Sequence, residues 1–383
     1  MKKFKTAFIT FFPVIPDNMG SSAVINSRFK SWPYQKKIFQ LSHVKNLNNK
    51  NLKTVFIKKE NPLNKIIHLP KLINEVLKYL RNIKKKVIII EGASWIFYSF
   101  VVLTSFKILL PESKIIYISH SVESEVRKKY SNLLIFFLTK YLEKLVFKYS
   151  DIATSVSKIE KIKIKKLYNQ KTILYPNALT INYKNKKKIF LNNYIIYSGS
   201  CFYKPNRVAV EYLNNKIMPN LMNNFPNLKL VLTGGGFDKK YPWLINKGIV
   251  SKKDLYNLIF FSKCMCVPLK FGSGTRIKII EALSIGAIVL STNKGIEGIE
   301  LKNEKPPFIF NNSKKLLKLI TYVLKNNNKI KKISVKNRSF YMKKYSMESI
   351  TKDFFKKYFK DLFNNNIKKR KLLIINKQIC NQT

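Results

Sequence analysis

The chain has 383 residues, of which 46% are hydrophobic and 13% aromatic. This content excludes a disordered chain, and the length exceeds what one hydrophobic core usually supports, so two domains are predicted. Lys and Arg number 73 against 20 Asp and Glu, a formal net charge of +53. Because these residues are spread along the whole chain, we attribute about half of the excess to compositional bias and the rest to an anionic partner, with a membrane surface favoured over nucleic acid.

The first half of the chain alternates short apolar runs with helical patterns. Its opening residues, MKKFKTAFITFF, have the basic start and apolar middle of a signal peptide, but prolines at 13 and 16 and the missing cleavage pattern argue against export. Further apolar runs are KTVFIKK, KVIIIEG, KIIYISHS, DIATSVS and TILYPN, with helical patterns at 132–149 and 158–167. This alternation predicts βαβ units around a parallel sheet. The longest apolar run, 95–106, is shorter than the roughly 18 residues of a spanning helix, so no transmembrane anchor is expected.

A polar, lysine-rich stretch after Asn177 interrupts this alternation, which starts again with NYIIYSGS, LKLVLTGGG, KCMCVPL and AIVLST. We therefore predict an N-terminal Rossmann-like domain over residues 1–185 and a second one over 186–345. From Ser346 the pattern SMESITKDFFKKYFKDLF predicts a closing helix over 346–365 that packs back toward the first domain. A loose basic tail over 366–383 follows.

Cysteines and histidines are few. The four cysteines are too irregularly spaced for a disulfide framework or a paired metal site, which favours a reducing, cytoplasmic compartment. With only three histidines, at 43, 68 and 120, a multi-histidine metal centre is not expected.

The strongest functional signal is the run FGSGTRIKIIEALSIG in the second half, which follows the predicted strand KCMCVPL and opens a helix. Gly272 and Gly274 would let the backbone approach a ligand, and the amides of Gly274, Thr275 and Arg276 would face a diphosphate at the positive end of the helix dipole. Glu281, about two turns further, could accept hydrogen bonds from a ribose diol. The alternative is a tight strand-to-helix turn followed by a solvated glutamate.

The second half resembles the retaining GT-B glycosyltransferases, often called glycosyltransferase family four. The run FGSGTRIKIIEALSIGAIVLSTNKGIEGI matches the family's donor-site signature, and SGSCFYKPNRVAVEYL, NFPNLKLVLTGGG and GIVSKKDLYNLIFFSKCMCVPL come in the family's order. The first half matches more loosely, through the first loop at 13–20, SHSVESE and YPN. The resemblance implies an α/β protein of two facing Rossmann-like domains with a closing helix. It also implies sugar transfer from a nucleotide-sugar with retention, without a metal or other cofactor.

Site residues follow from the resemblance position by position. Glu281 matches the second of two family glutamates, which holds the ribose, whereas Ser273 stands where the first one touches the sugar. Many relatives carry an arginine and a lysine in the first loop of the donor domain. Here Ser200 takes the arginine position, so Lys204, Arg276 and the helix amides are expected to meet the phosphate charge. Lys204 is otherwise an ordinary surface lysine.

The remaining donor-side residues lie at predicted strand ends. The resemblance assigns Gly199 to the phosphates, Gly234 and Gly235 to the base, and the backbone of Val250 to a hydrogen bond with the base. As alternatives, the glycines only form turns and Val250 is a buried strand residue.

On the acceptor side, His120 matches a family histidine that lies beside the reacting sugar, where it could orient a hydroxyl or support the leaving phosphate. Gly20 ends the first loop and would pass close to the donor or acceptor. A structural histidine and a flexible turn are the alternatives. Together with Arg276, His120 is predicted to be catalytic.

Bacterial members of the family often build lipopolysaccharide, capsule or other surface polysaccharides, so a glycan or lipid-linked acceptor at the cytoplasmic membrane is expected. No specific nucleic acid is expected, because no recognition motif is present. Three other functions stay open: a sugar-nucleotide epimerase on the same fold, a basic nucleic-acid-binding protein, and a catalytically silent homologue, the last suggested by Ser200 and Ser273.

Overall fold

The structure is a computed structural model that describes residues 4–15, 20–44, 49–181, 183, 193–272, 274–300 and 308–359. The described residues form two compact units. One contains those up to Pro176 and those from Met347 onward, and the other those from Asn177 to Ser346. The predicted boundaries were 185/186 and 345/346. The predicted tail over 366–383, and residues 360–365 of the closing helix, lie outside the described residues.

The first unit is built on a sheet of seven parallel strands in the order β3-β2-β1-β4-β5-β6-β7. The strands are β1 (Phe4–Thr10), β2 (Gln35–Ser42), β3 (Leu52–Phe56), β4 (Lys85–Gly92), β5 (Lys114–Ser119), β6 (Ile152–Ser155) and β7 (Ile173–Leu174). The helices between them are α1 (Gly20–Ser31), α2 (Pro62–Leu80), α3 (Ile96–Leu109), α4 (Glu123–Tyr130), α5 (Leu133–Tyr149) and α6 (Lys158–Tyr168). Continuous apolar runs form β1, β4 and β5 because a parallel sheet is covered by helices on both faces.

The second unit has six parallel strands in the order β10-β9-β8-β11-β12-β13. They are β8 (Tyr194–Ser198), β9 (Lys229–Thr233), β10 (Leu244–Asn246), β11 (Met265–Val267), β12 (Val289–Ser291) and β13 (Phe308–Ile309). The helices are α7 (Lys204–Tyr212), α8 (Met218–Met222), α9 (Lys252–Phe261), α10 (Ile277–Ile285), α11 (Ser313–Lys325) and α12 (Asn327–Lys344), with a π-helical segment at Leu213–Ile217.

The chain returns to the first unit through α13 (Met347–Phe354) and a π-helical turn, Phe355–Phe359. This segment packs by its aromatic face. The ring of Phe354 stacks on Tyr175 with centroids 4.8 Å apart, and Phe355 meets the edge of Trp32 at 4.5 Å.

Polar side chains set several helix starts. Asn61, Asn132 and Ser157 accept hydrogen bonds from backbone amides in the first turns of α2, α5 and α6, which satisfies amides that have no partner within the helix. In the part of the chain that the structure describes, no helix is both long and apolar enough to cross a bilayer.

Candidate functional site

The second sheet reverses its strand order between β8 and β11, because the chain proceeds outward to β10 on one side and to β13 on the other. Ligands of open parallel sheets bind beyond the carboxyl ends of the strands at such a switch point. Gly199 directly follows β8, and the loop with Gly272 and Gly274 connects β11 to α10. Donor-side residues predicted from the sequence therefore lie at this point.

Gly199 and Gly234 bring two loops of this edge into backbone contact. Gly199 N donates to Thr233 O at 2.9 Å, and a Cβ on Gly234 would lie 2.6 Å from the carbonyl carbon of Gly199. Gly234 also has φ +101°, a region that side chains rarely adopt. Its amide donates to Gly248 O at 2.7 Å, which connects the end of β9 to the loop that leads toward α9.

Other predicted residues border the same edge. The carbonyl of Gly235 accepts a hydrogen bond from Cys201 N at 2.8 Å. Val250 is half-buried in the loop before α9, so it is not a strand valine. Ser200 and Lys204 are exposed, the latter as the first residue of α7.

Lys278, which the sequence analysis did not single out, places its ammonium group at this switch point. Its Nζ donates to Asn206 Oδ1 at 2.9 Å and to the hydroxyl of Tyr197 at 3.2 Å. Side-chain atoms of Lys278 and Asn206 would collide with a Cβ on Gly199, so the ammonium lies against the turn after β8. Burial, and then the charge of Arg276, lower the pKa of Lys278 to about 7. A half-buried amine with a lowered pKa thus lies where a diphosphate was predicted.

The predicted phosphate loop leads into α10, which begins at Ile277 with Arg276 as its N-cap. The amides of Gly274, Thr275 and Arg276 therefore precede the first helical turn. Ser273 lies outside the described residues.

Arg276 itself is only 9% exposed, and burial lowers its pKa, against the influence of Tyr203 and two other groups. A Cβ on Gly272, which has φ +117°, would lie 2.6 Å from Arg276 Nη2 and 3.0 Å from the hydroxyl of Tyr203. The glycine thus leaves room for the guanidinium to fold back over the loop.

Glu281 is 7% exposed and is not a solvated helix residue. Its Oε1 forms an ion pair with Lys252 and accepts a hydrogen bond from the hydroxyl of Tyr256 at 3.4 Å. Both partners belong to α9, which begins two residues after Val250. Through this contact, Glu281, the predicted ribose-binding residue, lies close to the loop that contains Val250, the predicted base-binding residue. Lys278 lies one turn before Glu281 on α10.

In the first unit, the switch point lies between β1 and β4, and it contains a buried charge network. Glu91 at the end of β4 accepts two hydrogen bonds of 2.7 Å from Arg28 Nη1 and lies 2.7 Å from His120 Nε2. Arg28 and Glu91 are fully buried, and the guanidinium lies 4.9 Å from the ring centre of Tyr175. Gly20, the first residue of α1, is exposed.

The network determines which ring nitrogen of His120 donates a hydrogen bond to Glu91. Burial opposes ionisation of Glu91, but the charge of Arg28 and the contact with His120 outweigh it and lower the pKa of Glu91. An ionised carboxylate only accepts hydrogen bonds, so Nε2 of His120 is the donor. The lone pair of a neutral imidazole is then on Nδ1. The sequence had indicated His120 but not its carboxylate partner.

Among the residues that the structure describes, no three His, Cys, Asp or Glu side chains come together as a metal site. Metal-free chemistry stays a prediction.

Comparison with known proteins bears on the same segment. Residues 192–326 match the family model described as "Glycosyl transferases group 1", and this segment contains all the predicted donor-side residues. An "Uncharacterized 44.6 kDa protein in cps region" from Klebsiella pneumoniae is 25% identical over 233 residues, which cover 56% of this chain and 60% of that protein. The alignment thus spans less than two thirds of this relative.

Solved structures share the fold over most of the chain. Anabaena Alr3699/HepE in complex with UDP and glucose has a TM-score of 0.67 at 9% identity, covering 92% of this chain and 98% of that one. A glycosyltransferase from Rickettsia africae ESF-5 has a TM-score of 0.60 at 16% identity, covering 94% and 99%. The expected α/β class with two Rossmann-like units of GT-B type is confirmed, and residues 192–326 are similar in sequence to group 1 glycosyl transferases.

Proposed function

We propose that the protein transfers a sugar from a nucleoside-diphosphate sugar to a glycan or lipid-linked acceptor, with retention and without a metal ion. The observation that carries this proposal is the Nζ of Lys278, packed against the Gly199 turn at the β8/β11 switch point. Burial of this cation costs free energy that a diphosphate would return by supplying counter-charge. The similarity to group 1 glycosyl transferases supports the assignment.

The reaction breaks the bond between the anomeric carbon and the diphosphate oxygen, whose electron pair leaves with the diphosphate. The acceptor hydroxyl forms the new bond on the face that the diphosphate vacates, and its proton passes to the diphosphate. Since negative charge grows on the leaving group, cations already in place stabilise the transition state. We assign this role to Lys278 and Arg276, and the ribose to Glu281.

His120 is assigned to the acceptor side. The ionised carboxylate of Glu91 holds its Nε2–H, and the Nδ1 lone pair could orient an acceptor hydroxyl. The Klebsiella relative is described as a protein of a cps region. This description supports a surface polysaccharide, in preference to lipopolysaccharide, as the product to test first.

The first experiment measures binding of nucleoside diphosphates by calorimetry, with and without a chelator. Lys278→Met should weaken binding by roughly tenfold to a hundredfold, the value of one charge-assisted hydrogen bond. Lys318→Met removes an exposed lysine on α11 and should leave binding unchanged. If no nucleoside diphosphate binds, the proposal fails.

Product analysis separates transfer from the alternatives. A transferase needs an acceptor for rapid turnover, whereas an epimerase converts the nucleotide-sugar by itself. The anomeric configuration of the product, read by NMR, tests retention. Tight DNA binding at physiological salt without nucleotide binding would favour the nucleic-acid alternative instead.

A further inference from the structure

Helix α5 in the first unit has an apolar outer face over its first two turns. Five large apolar side chains on it, which we call the α5 patch, are between 42% and 77% exposed: Leu133, Leu134, Phe137, Leu138 and Tyr141. Their spacing places them along one side of the helix. The fully buried residues of α5 begin only at Thr139, so the first turns contribute little to the core. Contiguous exposed apolar residues of this size mark interaction surfaces.

The patch lies at the functional edge of the first sheet. Glu143, in the middle of α5, accepts hydrogen bonds from the backbone amides of Glu123 at 2.8 Å and Ser124 at 3.1 Å, close in sequence to His120. Leu133 is ten residues before Glu143, which along a helix is roughly 15 Å. Because α5 leads back to the start of β6, its first turns lie at the carboxyl edge, as His120 does.

The charges of α5 indicate what covers the patch. Lys140 lies within its span and Lys144 and Lys148 follow it, while Glu143, the one acidic residue of α5, is buried. The formal charge of the whole protein is +53. A second copy would bring two cationic faces together, whereas an anionic lipid leaflet offers hydrocarbon to the patch and negative headgroups to the lysines.

We propose that the α5 patch docks the protein on an anionic membrane leaflet. The five side chains enter the interface between headgroups and acyl chains, and the lysines contact the headgroups. The edge of the sheet that carries His120 then lies next to the leaflet, where a lipid-linked acceptor would be presented. This last step rests on the proposed function, but docking itself does not.

The test is cosedimentation of the full chain with phosphatidylglycerol-containing vesicles and with pure phosphatidylcholine vesicles. The test variant is Leu133→Glu with Phe137→Glu. The control is Leu63→Glu with Ile67→Glu on α2, a pair with the same spacing, the same charge change and similar exposure, 66% and 62%. We expect binding to anionic vesicles only, lost by roughly tenfold or more in the test variant and retained by the control. Circular dichroism establishes that both variants fold.

Three outcomes would overturn the proposal: no binding of the wild type to anionic vesicles, equal binding to neutral ones, or an equal loss in both variants. Sedimentation velocity tests whether a second copy of the chain covers the α5 patch instead. A wild-type dimer that the test variant dissociates, with no vesicle binding, would assign the patch to a second copy. Nucleotide binding by the test variant should stay at the wild-type level. A failure of membrane docking is therefore distinguishable from a failure of the proposed glycosyl transfer.

Discussion

If Lys278 binds the diphosphate as proposed, nucleotide binding depends on pH in a direction that the structure predicts. In the free protein, burial lowers the pKa of Lys278 from 10.5 to about 7. A diphosphate beside Nζ favours the charged amine, so binding raises this pKa. At pH 8 a group with a pKa of 7 is about 9% protonated, and binding should therefore take up about 0.9 proton. Affinity should consequently fall as pH rises above 7, by up to about tenfold per pH unit.

Calorimetry of UDP binding at pH 8 in Tris and in Hepes measures this uptake, because the two buffers differ in ionisation enthalpy. The nucleotide's terminal phosphate has a pKa of about 6 and is already ionised at pH 8, so it contributes little to the proton uptake. Lys278→Met should abolish the uptake, and Lys318→Met should retain it. Equal proton uptake by Lys278→Met and wild type, or a dissociation constant that does not change between pH 7 and 9, would refute the assignment.

Three further substitutions test the same sites. Glu281→Gln should weaken nucleotide binding by about 2 kcal/mol, or roughly thirtyfold, since a neutral amide accepts ribose hydrogen bonds less strongly, and a loss of only twofold would contradict its ribose role. Gly234→Ala should lower the free energy of unfolding by about 2 kcal/mol in denaturant titrations, because its Cβ meets backbone atoms at positive φ; an unchanged midpoint would contradict that contact. Glu91→Gln leaves a buried arginine without counter-charge and should cost about 3 kcal/mol of stability. The wild type should lose stability as the pH falls through the lowered pKa of Glu91, and this pH-dependent loss should be absent in the variant. A separate reduction of kcat in the variant would reflect misorientation of His120.

Most strands could be predicted because a covered parallel strand is a nearly continuous apolar run. KVIIIEG and KIIYISHS became β4 and β5, and both internal helical patterns became α5 and α6. The prediction missed the short strands β10 and β13 and also β2, whose sequence QKKIFQLS mixes polar and apolar residues. The buried Gln40 in it accepts a hydrogen bond from Val14 N at 2.9 Å, a tertiary contact that periodicity cannot reveal.

Positions in the candidate site could be predicted from the sequence where they depend on the local backbone conformation. Gly199 and Gly234 follow apolar strands, and positive φ at both agrees with the glycine there. Lys278 was not singled out although it lies within the run FGSGTRIKIIEALSIG, because the sequence does not show which way its side chain points. Its environment arises from Tyr197 and Asn206, which precede it by about 80 and 70 residues and meet it only after folding. The partner of His120 was missed for the same reason.

Lys204 and Lys278 illustrate why the high net charge indicates so little about the chemistry of this protein. Both are close to the turn after β8, yet the first is exposed and the second lies against Gly199. An exposed ammonium is hydrated and screened by salt, so a phosphate gains little from it. An ammonium that is already partly removed from water has lost part of its hydration before the ligand arrives, so more of the new interaction favours the bound state. Arg28 in the first unit is also a buried cation, but Glu91 already supplies its counter-charge. Among the described residues near Lys278, the carboxylate of Glu281 is paired with Lys252, which is why we propose an anionic substrate as the partner of Lys278.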